Sequence, residues 1–193
     1  MPNMKVEKVI VREELELIVK NIFPSMIDDN FLVENKFIDS KKLVKKGTYT
    51  VASWGSHIEI EDSTKTSINI SVNNIKIRSK DYNRLVSFYD IISKNFENQI
   101  TEVSYTQILH YEDENIFNKV MSLMLCKTEM EVDILRLKKE NYIFDVYECA
   151  PNRLHLALHN KMLFNKKFNF SNFIKNSASF FDNFISNDLN LSS

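Results

Sequence analysis

The sequence predicts an α+β fold: two antiparallel strand meanders, each followed by an amphipathic helix, with the helices packed on one sheet face. Three observations carry this. Ile68, Ile70 and Val72 alternate with polar residues, pause at Asn73-Asn74 and resume at Ile75 and Ile77, the period-2 pattern of a hairpin with one buried and one wet face. Tyr82, Leu85, Val86, Tyr89, Ile92 and Phe96 then recur at three and four, the period of an amphipathic helix. The same succession returns in the last third, so two related lobes are expected.

Taken in order, residues 1–47 read as an N-terminal helix and an irregular segment. Val11, Leu15, Ile18 and Ile22 fall at helical spacing and Pro24 stops the element. Residues 48–126 read as the first meander plus helices. Tyr49, Val51, Ile58 and Ile60 alternate, and Asn73-Asn74 is expected to turn the chain through positive φ, which Asn tolerates better than other non-glycine residues. Ser79 or Asp81 caps the first helix. A strand follows over 100–111, with Tyr105, Gln107 and Leu109 on one face and Ile108 and His110 on the other, and then a helix through Ile116, Val120 and Met124.

Residues 127–187 read as the second meander plus the C-terminal helix. Met130, Val132 and Ile134 alternate, Lys138 to Asn141 turns, Tyr142 to Cys149 is a strand, and Pro151-Asn152 turns into Arg153 to His159. A closing helix over 171–187 carries Phe173, Phe180, Phe181 and Phe184, and residues 188–193 form a frayed tail.

Composition excludes several classes of function. With 25 Lys plus Arg against 26 Asp plus Glu, the net charge of -1 gives no general pull toward nucleic acid or anionic lipid. Nucleic acid is therefore not an expected partner, and Lys161, Lys166, Lys167 and Lys175 read as solvated surface. Gly47 and Gly55 are the only glycines, and two isolated glycines cannot build a phosphate-cradling loop. Cys126 and Cys149 lack the Cys-x-x-Cys spacing of zinc or redox motifs. The charged N-terminus holds no signal-peptide core and no apolar run approaches 18 residues, so the cytoplasm is expected and a membrane is not. Abundant Asn, Lys, Ile and Phe beside scarce Ala suits AT-rich coding, as in a low-GC bacterium or its phage.

Trp54, the hairpin strands Ile68 to Ile77, Tyr82 opening the helix and the strand leading to His110-Tyr111 resemble the corresponding features of an uncharacterised bacterial family of two-lobed α+β proteins. The similarity covers residues 54–111. That family's last strand carries Arg-Tyr-Ile-Asn; here the stretch is Thr106-Gln107-Ile108-Leu109-His110-Tyr111-Glu112, in which Tyr111 alone corresponds. The resemblance implies the fold and no site.

Chemistry gathers on the last meander. If Leu154, Leu156 and Leu158 face the core, Arg153, His155, Ala157 and His159 face the other way, together with Glu131, Asp133, Asp145, Tyr147 and Cys149 from neighbouring strands. His155 and His159 stand about 13 Å apart on a strand, too far to share one ion, so no metal and no cofactor are expected. His57 and His110 read as lone structural histidines. Two functions follow. The first is a non-enzymatic protein–protein interaction module, an accessory or host–phage conflict protein. Its partner is another protein or a second copy in a homodimer, met through Phe173, Phe180, Phe181 and Phe184. The alternative is a hydrolase-type enzyme using Asp145, Cys149 and His155.

Overall fold

A computed structural model describes residues 4, 5, 7–38, 49–53, 57–62, 64–114, 116–124, 134–165 and 167–192. Its fold is α+β with antiparallel sheet, as the alternation predicts, and the chain divides into two compact units. One comprises residues 13–104 and 161–168. The other comprises 1–12, 105–160 and 169–193. Three of the four boundaries between them fall within long strands, and the fourth lies just before Phe170.

In the first unit, β2 (Glu7–Val19) and β3 to β6 (Tyr49–Ser53, His57–Asp62, Ser67–Ser71, Asn74–Ser79) follow the order β3-β4-β5-β6-β2. Isoleucines meet across the β4–β5 and β5–β6 ladders: Ile58 opposite Ile70, Ile60 opposite Ile68, Ile68 opposite Ile77, Ile70 opposite Ile75. Leu15 and Leu17 extend this buried face opposite Ile77 and Ile75. Such β-branched cross-strand pairs both suit the pleat and bury apolar area, each side chain contributing about 1.5–3 kcal/mol. The opposite face is charged, with Glu14 between Lys76 (3.4 Å) and Arg78 (2.7 Å). Helix α2 (Tyr82–Phe96) starts at Asp81, whose carboxylate accepts from the Asn83 N–H at 2.8 Å, and turns Leu85, Phe88 and Ile92 inward.

The helix expected over 11–23 is instead the strand β2. Glu13, Leu15, Leu17 and Val19 are buried and the residues between them are not, so period 2 prevails over the 4-3-4 spacing because β6 supplies a ladder for this segment. The irregular stretch after it contains a 3₁₀ turn (Pro24–Met26) and a short helix, α1 (Asp29–Glu34), capped by Asp28. Residues 39–48 lie outside the described ones. Neither Asn73 nor Asn74 takes positive φ. Their turn is held by the Ser71 hydroxyl, which donates to the Asn74 side-chain oxygen at 2.6 Å; positive φ occurs at Lys65 instead, between β4 and β5.

In the second unit, β7 (Ile100–Glu112), β8 (Ile134–Lys139), β9 (Tyr142–Ala150) and β10 (Arg153–Leu163) follow the order β7-β10-β9-β8. Strand β8 runs through Lys138 and Lys139, so the turn lies at Glu140-Asn141, with Glu140 at φ 56°; the expected Met130 to Asp133 part of that strand lies outside the described residues. Between β9 and β10, Pro151 precedes Asn152 at φ 61°, the pairing of a fixed φ with a left-handed residue that a type II turn uses.

Leu154, Leu156 and Leu158 face the core as expected. They join Leu109, Tyr111, Phe144 and Val146 beneath helices α3 (Ile116–Met124) and α4 (Phe170–Asn183), from which Ile116, Val120 and Phe181 descend. Both helices therefore lie on one face of this sheet. After α4, a π turn (Phe184–Asp188) leads not to a frayed tail but to strand β11 (Leu191–Ser192), paired in parallel with β1 (Met4–Lys5). Leu189 and Leu191 are buried in the same core, and that burial holds the end of the chain in place.

Candidate functional site

The helices cover one face of the β7-β10-β9-β8 sheet; the other face carries its polar chemistry. Alternation dictates which side chains arrive there. In β10, Leu154, Leu156 and Leu158 point down, so His155 and His159 point up. In β7, buried Tyr105, Leu109 and Tyr111 leave Thr106 and His110 on that side. In β9, buried Phe144 and Val146 leave Asp145, Tyr147 and Cys149.

Two groups form on this face. In the first, His110 Nε2 lies 3.1 Å from His155 Nδ1, and Cys149 Sγ lies 3.8 Å from His110 Nε2. One of the two ring nitrogens carries the proton they share. The thiol also donates to the Arg153 carbonyl at 3.5 Å. It reaches that carbonyl because the register shifts between Arg153 and Leu154, a bulge that re-aims the side chains beside it. Tyr147 stacks on His155, ring centres 4.3 Å apart and planes 23° from parallel.

Partial burial penalises charge on both rings. It pushes the His155 imidazole down to about 4, with His110 adding to the depression and the Asp145 carboxylate opposing it. His110 is also lowered, by burial and then by the Arg153 guanidinium. Arg153 is itself tied to Glu112, its Nε donating at 2.6 Å. The Tyr147 phenol is raised by burial and by the neighbouring Cys149 and Asp145. At neutral pH both imidazoles are therefore uncharged, with one ring-nitrogen lone pair each.

The second group is ionic. Arg136 grips Asp145 bidentately at 2.6 and 2.8 Å, which holds that carboxyl below its usual range. Asp145 Oδ2 stands 3.3 Å from His159 Nε2, and Thr106 Oγ1 stands 3.0 Å from His159 Nδ1. A carboxylate only accepts, so the Nε2–H of His159 is the donor to Asp145.

The three residues singled out in sequence thus share the face but not one hydrogen-bond chain. Cys149 and His155 come together through His110, whereas the partners of Asp145 are Arg136 and His159. In sequence His110 is a lone strand histidine. Its parity opposite Tyr105 and Leu109 was legible; the adjacency of β7 to β10, across 45 residues, was not. Glu131 and Asp133 lie outside the described residues.

Of the four phenylalanines, Phe173, Phe181 and Phe184 are buried within their own unit. Phe180 is half-buried, stacked on Tyr142 at 4.0 Å with Lys139 Nζ 5.4 Å above its ring. It lines a groove of about 450 Å³ with Lys139, Phe144, Asn183 and Asn187. Among the described residues, no helix is long and apolar enough to cross a membrane.

No protein-family model matches the chain, and no curated protein matches its sequence. Among solved structures, Methanococcus jannaschii TBP is similar over 94% of this chain and 97% of that one, at 12% identity and a TM-score of 0.35.

Proposed function

We propose that this chain is a non-enzymatic interaction module whose working surface is the polar face of the β7-β10-β9-β8 sheet and whose partner is another protein. The observation that carries this reading is the Arg136–Asp145–His159–Thr106 chain of contacts, which fixes four polar side chains on a face that neither α3 nor α4 covers. Groups held in place before binding lose little conformational entropy when a partner docks. Tyr147 and Arg136 are of the residue types that anchor such interfaces. Affinity capture with the full chain, followed by the Arg136→Glu and Tyr147→Ala double variant, tests it. The double variant is expected to lose the captured protein while Lys175→Glu, on exposed α4 surface, retains it. Equal capture by all three chains sinks the proposal, and a mass increase in light scattering identifies the partner as a second copy.

A hydrolase-type enzyme is the second reading, favoured by the 3.8 Å approach of Cys149 Sγ to His110 Nε2, within the loose reach of a thiol and its base before substrate arrives. It requires that an electrophilic ester probe label Cys149 faster than free cysteine, and that His110→Gln abolish the advantage. Labelling at the free-cysteine rate refutes it.

A further inference from the structure

The Cys149, His110 and His155 side chains offer three potential donor atoms whose mutual separations are all within 4.8 Å. A tetrahedral zinc ion, with Zn–N near 2.0–2.1 Å and Zn–S near 2.3 Å, places two nitrogens about 3.4 Å apart and a nitrogen and a sulfur about 3.6 Å apart. The observed edges are 3.1 Å for His110 Nε2 to His155 Nδ1 and 3.8 Å for His110 Nε2 to Cys149 Sγ. Both lie within a few tenths of an ångström of those spacings. The third edge, from His155 to Cys149, is no more than 4.8 Å, and Cys149 is exposed and next to the last residue of its strand, where a turn about its Cα–Cβ bond could shorten that edge.

We propose that His110, Cys149 and His155 form a three-ligand site for zinc, with the fourth coordination position open to solvent. The donor set is mixed imidazole and thiolate, which selects zinc or its surrogate cobalt over magnesium and calcium, ions that prefer oxygen. Three ligands from three neighbouring strands, with Tyr147 stacked against one ring, hold the donors on rigid elements. Binding forms two metal–nitrogen bonds and one metal–sulfur bond. The thiol proton is released to solvent, the proton shared by His110 Nε2 and His155 Nδ1 moves through solvent to the other nitrogen of the ring that carried it, all but one of the incoming ion's waters leave, and neither metal nor sulfur changes oxidation state. A water completes the tetrahedron on the exposed side, as in zinc sites that keep a position free.

The site goes beyond the interaction reading and stands or falls separately from it. Titrating the reduced, full-length chain with cobalt(II) is expected to saturate at one equivalent, with thiolate-to-cobalt charge-transfer absorption and the intense visible bands of a four-coordinate ion. Zinc should then displace the cobalt. Cys149→Ser removes the charge-transfer band, whereas Cys126→Ser and His159→Gln keep it. His110→Gln and His155→Gln each weaken zinc affinity beyond the roughly 10–100-fold that loss of an outer partner costs. These two variants also carry the test if Cys149→Ser does not fold. Absence of one-equivalent binding overturns the proposal. So does a charge-transfer band that survives Cys149→Ser or disappears with Cys126→Ser, or affinity that falls as far in His159→Gln as in the ligand variants.

Discussion

His110 Nε2 lies 3.1 Å from His155 Nδ1, although 45 residues of chain separate them. Two imidazoles this close, on a half-buried sheet face, cannot both take up protons cheaply, and the geometry has a direct consequence for acid stability.

His155 is held at about 4, against 6.5 for an ordinary histidine. Below pH 6.5 the unfolded chain binds a proton that the folded chain refuses, so the His155 contribution costs nothing above 6.5, lowers stability as pH drops toward 4 and levels off below it. Urea midpoints measured from pH 7 to pH 4 should decline for the parent and decline less for His155→Gln. Parallel slopes contradict the assignment.

The buried Asn160–Ser177 pair yields a second expectation. Asn160 Nδ2 donates to Ser177 Oγ at 2.8 Å, and the Ser177 hydroxyl donates in turn to the Phe173 carbonyl at 2.8 Å. Ser177→Ala leaves the asparagine amide without its acceptor, at a cost of about 1–3 kcal/mol. Denaturant unfolding should show that loss, and Asn160→Leu combined with Ser177→Ala should recover part of it.

Strand β2 can be told from a helix by substitution. As a strand it buries Leu15 and Leu17 two apart, both fully enclosed, so Leu15→Ala and Leu17→Ala each cost about 2–5 kcal/mol. A helical stripe would bury Leu15 and Ile18 and spare Leu17. Chemical denaturation of Leu15→Ala, Leu17→Ala and Ile18→Ala separates the two patterns.

Leu191 tests the C-terminal segment. It is 1% exposed and lies in the shared core, so Leu191→Ala should lower stability by about 2–5 kcal/mol. A frayed tail would give no change in thermal midpoint.

Where one face is buried and the other wet, the sequence is a sufficient guide. The Ile68–Ile77 hairpin, the Asp81-capped helix and the Leu154-Leu156-Leu158 face are all legible from periodicity, because burial itself imposes the period. Strand β2 was misread because Val11, Leu15, Ile18 and Ile22 satisfy a helical spacing while Leu15, Leu17 and Val19 satisfy a strand spacing. The pairing with β6 that decides between them is a long-range contact. The candidate site was half visible. Strand parity brings Cys149 and His155 to one face, but no local signal says that β7 lies beside β10, and so the sequence leaves His110 a lone strand histidine.

The pairing of Met4–Lys5 with Leu191–Ser192 joins two of the most distant described segments of the chain. Closing so long a loop is entropically costly, and non-local contacts of this kind form slowly. During synthesis Met4 and Lys5 therefore wait for their β11 partner until Leu191 has left the ribosome. All of residues 13–104 and 161–168 have been synthesised by then, so the unit that carries the Cys149 cluster is the one whose last strand pair must await the later part of the chain.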